Sequence, residues 1–262
     1  MQGKNGRNYA LARGEVYFDR FAPGTTNTTG EHYFGNTPEI STTTESEELE
    51  HFDSDHGVNE KDDAVTLSQD MTGAMTTDNI IADNLALLFR GTVATVSQTS
   101  QTGQSNTFND VKQGRYYQLG TTDARPYGVR HVNNVVVKVG ASTITMTGNY
   151  DVDLDLGRIY IELDAPGIAE GADVVVEYDV AAYTQDVIVS GAEEIEGALR
   201  YIGYNPKGEL MDYYWPRVKL SPNGDFALKS GEDWQTIPFN IEFLRKGSLQ
   251  KLYVTNRGTV AP

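Results

Sequence analysis

The sequence predicts a mainly β protein with one α-helix and a small antiparallel β module inserted into a larger β domain. Three observations carry that expectation. Thr, Val, Tyr, Asp and Gly are abundant, as suits pleated, half-buried surfaces. Segments of period-two alternation recur between Gly, Pro and Asn turn signals. Helical periodicity is confined to one short stretch. With 262 residues the chain is long enough to bury a core in one large β domain or two smaller ones.

Along the chain, a polar arm precedes a first strand, Gly14 to Phe21, and Pro23 to Gly35 reads as a Gly/Thr/Asn-rich loop. Two long extended segments follow, Ile40 to Phe52 and Ala64 to Thr76, with Asp53-Ser54-Asp55-His56-Gly57 near the turn. In the second, Val65, Leu67, Gln69 and Met71 fall on one face, expected to be packed. Thr66, Ser68, Asp70 and Thr72 fall on the other, expected to be wet. The first segment is almost wholly polar, so this hairpin needs neighbours to hold its register. The helix is expected over Asp78–Phe89, with Thr77 or Asp78 as cap, Ile81, Leu85 and Leu88 as its stripe, and Gly91 as its stop.

Beyond Thr92 the texture changes. Ser97 to Asn109 reads as a long polar loop, followed by strands at Arg115–Leu119, Val132–Val139, Ile144–Met146, Arg158–Leu163 and Val174–Val180. The expected organisation is a first part of the larger domain over residues 1–91, the inserted module over 92–185, and a second part over 186–262. That last part holds Ile195–Tyr204, Glu209–Leu220, Phe226–Leu228 and Gln235–Leu244. In its final strand Ile237, Phe239, Ile241 and Phe243 share one face.

Charge and composition exclude several functions. There is no Cys, so neither a disulfide framework nor a thiolate metal site is possible. No apolar run reaches membrane-spanning length, and no apolar h-region follows the first residues, so neither a signal peptide nor membrane association is expected. The net charge is -16, and residues 39–63 alone carry -9 of it. An acidic surface repels phosphate, so neither nucleic acid nor anionic lipid is expected as a tight ligand.

The constellations that might carry chemistry have simpler readings. Glu45, Glu47, Glu48, Glu50, Asp53 and Asp55 lack the apolar neighbours that would hold one carboxyl protonated for glycoside hydrolysis. Asp151, Asp153, Asp155 and Glu162 match positions of a calcium loop. The required Gly is Leu156, with Gly157 one residue late, and no helices flank it. His32, His51, His56 and His131 have no zinc spacing. No metal, other cofactor or catalytic residue is expected. Tyr201, Tyr204, Tyr213, Tyr214 and Trp215 suit core or interface anchors better than an open platform.

Gly197-Ala198-Leu199-Arg200-Tyr201-Ile202, Asp212-Tyr213-Tyr214-Trp215-Pro216-Arg217-Val218, Asn223-Gly224-Asp225-Phe226-Ala227-Leu228 and Trp234-Gln235-Thr236-Ile237-Pro238-Phe239 resemble the closing part of major tail tube proteins of long-tailed bacteriophages. Glu48-Leu49-Glu50-His51-Phe52, the hairpin after it and Asn84-Leu85-Ala86-Leu87 look like that family's first half. Gly157-Arg158-Ile159 and Val174-Val175-Val176-Glu177-Tyr178 are similar to an extra β region of some members. The resemblance runs from about Glu15 to Leu244, and the order of its short pieces carries it.

It implies a two-sheet β-sandwich of the tail tube type with one flanking helix. Six copies would form a ring, and rings would stack into a hollow virion tail tube, assembled in the host cytoplasm, through which DNA passes without specific binding. The implied partners are further copies of the chain, a tape measure protein, and tail terminator or tip proteins. On this reading Thr66, Ser68, Asp70, Thr72, Glu45 and Glu47 are expected to line the lumen. Asp53, Asp55, His56, Lys61 and Asp62 are expected to contact the next ring, and the inserted module to project outward. The alternatives are a monomeric β-sandwich for adhesion or carbohydrate binding, and a carboxylate hydrolase.

Overall fold

A computed structural model describes residues 9–53, 55 and 57–257. The fold is mainly β, with 53% of residues in strands against 3% in helix. In chain order come β1 (Gly14–Arg20), β2 (His32–Tyr33), β3 (Glu39–Asp53), β4 (Glu60–Thr77), α1 (Ala82–Leu88) and β5 (Thr92–Gln98). Next are β6 (Gln101–Phe108), β7 (Arg115–Gln118), β8 (Val132–Val139), β9 (Ser142–Ile144), β10 (Tyr150–Asp153), β11 (Arg158–Ile161) and β12 (Val174–Val180). The chain ends through β13 (Tyr183–Val189), β14 (Ile195–Gly203), β15 (Met211–Pro222), β16 (Ile237–Phe243) and β17 (Tyr253–Asn256). It forms two compact units, Met1–Ala94 with Ile188–Pro262, and Thr95–Val187. The paired strands β5 and β13 carry the chain across that division.

In the first unit every strand apart from those crossing strands belongs to one antiparallel sheet of order β2-β1-β14-β15-β16-β4-β3, with β17 also on β15. The pattern follows from the residues. Ile237, Phe239, Ile241 and Phe243 are all buried, as their alternation predicts, because β16 lies between β15 and β4. Pro216 sits inside the long strand β15, where a proline would break a regular ladder. Here the pairing with β14 shifts between Gly197–Val218 and Leu199–Trp215, and Pro216 falls in that irregularity. It also falls in the gap where β15 changes partner from β17 to β16.

The sheet is rolled. Phe34, just past the edge strand β2, packs against Phe239 of β16 with tilted rings whose centroids are 5.9 Å apart. Four strand spacings separate β2 from β16 in the order, so a flat sheet would hold them about 19 Å apart. The opposite edge, β3, starts at Glu39, and the link 34–38 can bridge at most about 18 Å. Three side chains fasten this closure on the Phe34 carbonyl: Thr77 Oγ1 at 3.0 Å, Asn84 Nδ2 at 3.0 Å and Asn79 Nδ2 at 3.3 Å. Thr77 and Asn84 are fully buried polar residues, and these bonds are why burial is tolerated.

The same bonds correct the helix expectation. Neither Thr77 nor Asp78 caps it; Thr77 is taken by Phe34, and α1 starts after Ile81 with no side-chain cap. Its end is a Schellman turn, with Gly91 N–H donating to Ala86 O at 2.8 Å and Arg90 N–H to Leu87 O at 3.2 Å. Arg90, not Gly91, takes the left-handed position, at φ 52°. Gly91 is required for another reason, since a Cβ there would lie 1.8 Å from the Val189 carbonyl oxygen.

The second unit has a three-stranded sheet, β10-β11-β7, and a four-stranded sheet, β6-β12-β8-β9. Ile159, Ile161 and Tyr150 from the first share a core with Val132, Val137, Val174 and Val176 from the second, so the sheets pack face to face. The stretch expected as a loop, Ser97 to Asn109, is instead the end of β5 and all of β6. β6 is a polar edge strand whose register is set by β12, and Asn106 Oδ1 anchors it by accepting from Tyr178 Oη at 2.6 Å and Gly120 N–H at 2.8 Å.

Phe34→Ala should cost about 3–5 kcal/mol, the range for deleting a fully buried aromatic, read by chemical denaturation of the first unit. A pH effect follows at β17. Arg257 grips Asp212 through Nη2 at 3.1 Å and Nε at 3.2 Å, and this holds the Asp212 carboxyl below its usual range. A lowered carboxylate pKa stabilises above the unfolded value and is lost as pH falls through the folded one. Hydrogen-exchange protection of Tyr253–Asn256 should therefore drop below about pH 4. Asp212→Asn should remove the acid dependence and lower protection already at neutral pH.

Candidate functional site

The candidate site is the hairpin of β3 and β4. Its root is part of the sheet, since β4 pairs with β16 from Thr72–Glu242 to Thr77–Ile237. Beyond Thr72 each strand pairs only with the other, and the contact from outside is Lys251, whose Nζ donates to Gln69 O at 3.1 Å and lies 3.9 Å from Asp70. Residues 44–53 and 60–71 thus form a free two-stranded arm about 33 Å long at the usual rise per residue. A lone ribbon of this kind is marginal in water, because neither face is covered. Residues 44–71 carry ten carboxylates against one lysine.

Register assigns the faces. Ile40–Met75 and Thr44–Met71 pairs lie on the side packed against the core. Thr43–Thr72, Glu45–Asp70 and Glu47–Ser68 lie on the other side, and Ser68 Oγ donates to Glu47 Oε2 at 3.3 Å. Five of the six residues expected on one wet face, Glu45, Glu47, Ser68, Asp70 and Thr72, therefore do share one. Thr66 does not. The register shifts between Glu47 and Glu48, leaving Leu67 as an extra residue, so Thr66 pairs with Glu48 on the opposite face.

The expected packed face is also corrected. Val65 and Leu67 are 56% and 58% exposed, because past Met71 nothing lies opposite them. Leu49 and Phe52 are likewise exposed.

At the tip, Lys61 Nζ donates to Glu50 at 2.8 Å and reaches Glu48 at 4.0 Å, and the Glu50 bond raises the lysine's pKa. His51 Nδ1 meets Asp62 Oδ1 at 2.5 Å, and this bond lowers the Asp62 pKa. Asp53 Oδ1 accepts the Asp55 N–H at 2.9 Å. Lys61, Asp62 and Asp53 thus have partners within the hairpin, whereas His56 lies outside the described residues.

The other constellations resolve differently. Asp153 Oδ1 accepts the Leu156 N–H at 2.9 Å, closing the turn after β10. Among the described residues no three His, Asp or Glu side chains converge as a metal site. Among them, too, no helix is long and apolar enough to cross a membrane. Trp215 is buried, stacked on Phe243 at 5.2 Å and on Tyr213 at 6.0 Å, and belongs to the core, whereas Tyr201 and Tyr213 are half-buried and Tyr204 is exposed.

A cleft of about 390 Å³ opens at the root of the arm, between Arg13–Gly14, Pro38–Thr42 and the rings of Tyr201, Tyr213 and Trp215. Sequence reasoning missed it, because it joins four segments distant along the chain. The chain belongs to the family described as protein of unknown function UCP028589, whose model matches residues 9–250. No curated protein matches it.

The free arm should be visible by hydrogen exchange. In the dilute protein, amides of residues 44–53 and 60–71 should exchange at least tenfold faster than those of β16, and slow markedly when the protein associates.

Proposed function

We propose that this chain is a structural subunit that associates through its arm. In this reading it forms homohexameric rings that stack into a hollow tube of the phage tail tube type. The tube belongs to the virion tail and lets DNA pass during ejection. One observation carries the reading: an acidic, uncovered ribbon about 33 Å long projects from an otherwise well-packed sheet. Such a ribbon gains cover only from another molecule, and its exposed Leu49, Phe52, Val65 and Leu67 would be a solubility liability without one. The rolled sheet with α1 beside it is compatible with the two-layer sandwich of that type.

The polar face of Glu45, Glu47, Ser68, Asp70 and Thr72 suits a lumen wall. DNA must slide through a conduit, and carboxylates offer its phosphates no grip. Asp53, Asp55, His56, Lys61 and Asp62 would make the ring-to-ring contact. A tape measure protein and terminator or tip proteins are the further partners of such a tube.

Electron microscopy of the concentrated protein should reveal rings or tubes of uniform bore; dispersed monomers at every concentration would defeat the reading. Deleting residues 53–61 should abolish tubes and leave a folded monomer. In assembled tubes, replacing Glu45, Glu47 and Asp70 with Lys should create retention of short duplex DNA that weakens steeply with salt, and no retention would remove these residues from the lumen.

A further inference from the structure

We propose that the cleft at the root of the arm is a socket for the arm of a second copy of this chain, filled by the Leu49–Val65 pair. The inference rests on the assembly reading above and adds the surface that receives the arm.

The socket has an aromatic wall. Tyr201 and Tyr213 meet edge to face at 5.8 Å, and Tyr213 stacks on Trp215 at an interplanar angle of 18°. Phe243 backs Trp215, so the wall is held from behind. Gly14 lies against it; a Cβ there would come 2.5 Å from the Tyr201 ring. Aromatic walls of this kind suit aliphatic side chains. The lining carries one charge of each sign, Glu39 and Arg13; Arg13 is exposed and has no acidic partner within salt-bridge distance among the described residues.

The arm supplies the complement. Its polar face runs from Thr43–Thr72 to Glu47–Ser68 and then turns apolar at the directly paired Leu49 and Val65, which are 63% and 56% exposed. Asp63, paired with His51, flanks them on that face, and its carboxylate meets no lysine or arginine among the described residues. An apolar pair beside the Asp63 carboxylate thus matches an aromatic cleft at its Arg13 end, where Arg13 attracts the carboxylate that Glu39 repels. The arm cannot fill its own socket. Leu49 lies seven residues beyond Thr42 along an extended strand, about 23 Å from the cleft. The contact is therefore between copies. Since plug and socket are different surfaces, it repeats head to tail, giving closed rings or open filaments rather than two-fold dimers.

The test uses the full chain, with light scattering and electron microscopy across concentration. Thr42→Trp fills the cleft from an exposed rim position and should raise the midpoint concentration of assembly at least tenfold, with melting unchanged. If that variant fails to fold, Leu49→Asp with Val65→Asp on the exposed arm carries the same test. Arg13→Asp and Asp63→Arg should each weaken assembly, and their combination should restore it, a rescue that mere structural damage would not produce. Wild-type assembly with an unchanged midpoint in Thr42→Trp, or no rescue by the charge swap, overturns the socket and leaves the assembly reading standing. A wild-type chain that stays monomeric throughout overturns both.

Discussion

The closure at Phe34 is the constraint on which the rest of the first unit depends. Its ring reaches Phe239 across the rolled sheet, and its carbonyl takes up donors from Thr77, Asn79 and Asn84. The end of β4, the entry to α1 and the link into β3 are thereby fixed at one point. A buried carbonyl left without these donors would cost about 1–3 kcal/mol, and the ring burial adds several more. The closure also sets where the arm leaves the sheet, because β3 begins five residues past the Phe34 carbonyl.

The arm and the sheet beneath it obey different physics. In the sheet, the strands between the two edges have neighbours on both sides and an inner face rich in Phe, Ile, Leu and Val, so packing specifies register. In the arm, hydrogen bonds to a single partner strand and short ion pairs such as Lys61–Glu50 hold the geometry. Exposed pairs of that kind contribute little, because water and salt screen them. The arm is thus conformationally cheap to rearrange, which suits a segment that settles only against another molecule.

Much of this was legible in the sequence where faces are decided locally. The alternation of β16 announced its burial because both its neighbours are regular strands. The same pattern in β4 announced the two faces from Ser68 onward, but the extra residue at Leu67 exchanged Val65 and Thr66; nor can alternation say whether a face is covered, and Val65 and Leu67 proved bare. The helix start was misread because Thr77 has the chemistry of a cap and was claimed by a carbonyl 43 positions away in sequence. The polar stretch Gln101–Phe108 was misread as a loop because its strand character is imposed by the apolar β12 beside it. That Glu45, Glu47, Ser68, Asp70 and Thr72 share a face was legible through pairing parity, and the aromatic cleft was invisible because no single segment contains it.

The extra residue at Leu67 works as a phase shifter. A two-residue rhythm has only two settings, inside and outside, and one inserted residue exchanges them over Asp63–Thr66, until the second extra residue, Asp62, exchanges them back. Proximal to Leu67 the strand keeps time with the core; between the two extra residues it runs on the opposite beat and presents Val65 beside Leu49. The length of the arm could drift by pairs of residues without disturbing either surface. A single-residue deletion at Leu67 would instead move Val65 to the opposite face from Leu49, so the place of the extra residue matters more than the composition around it.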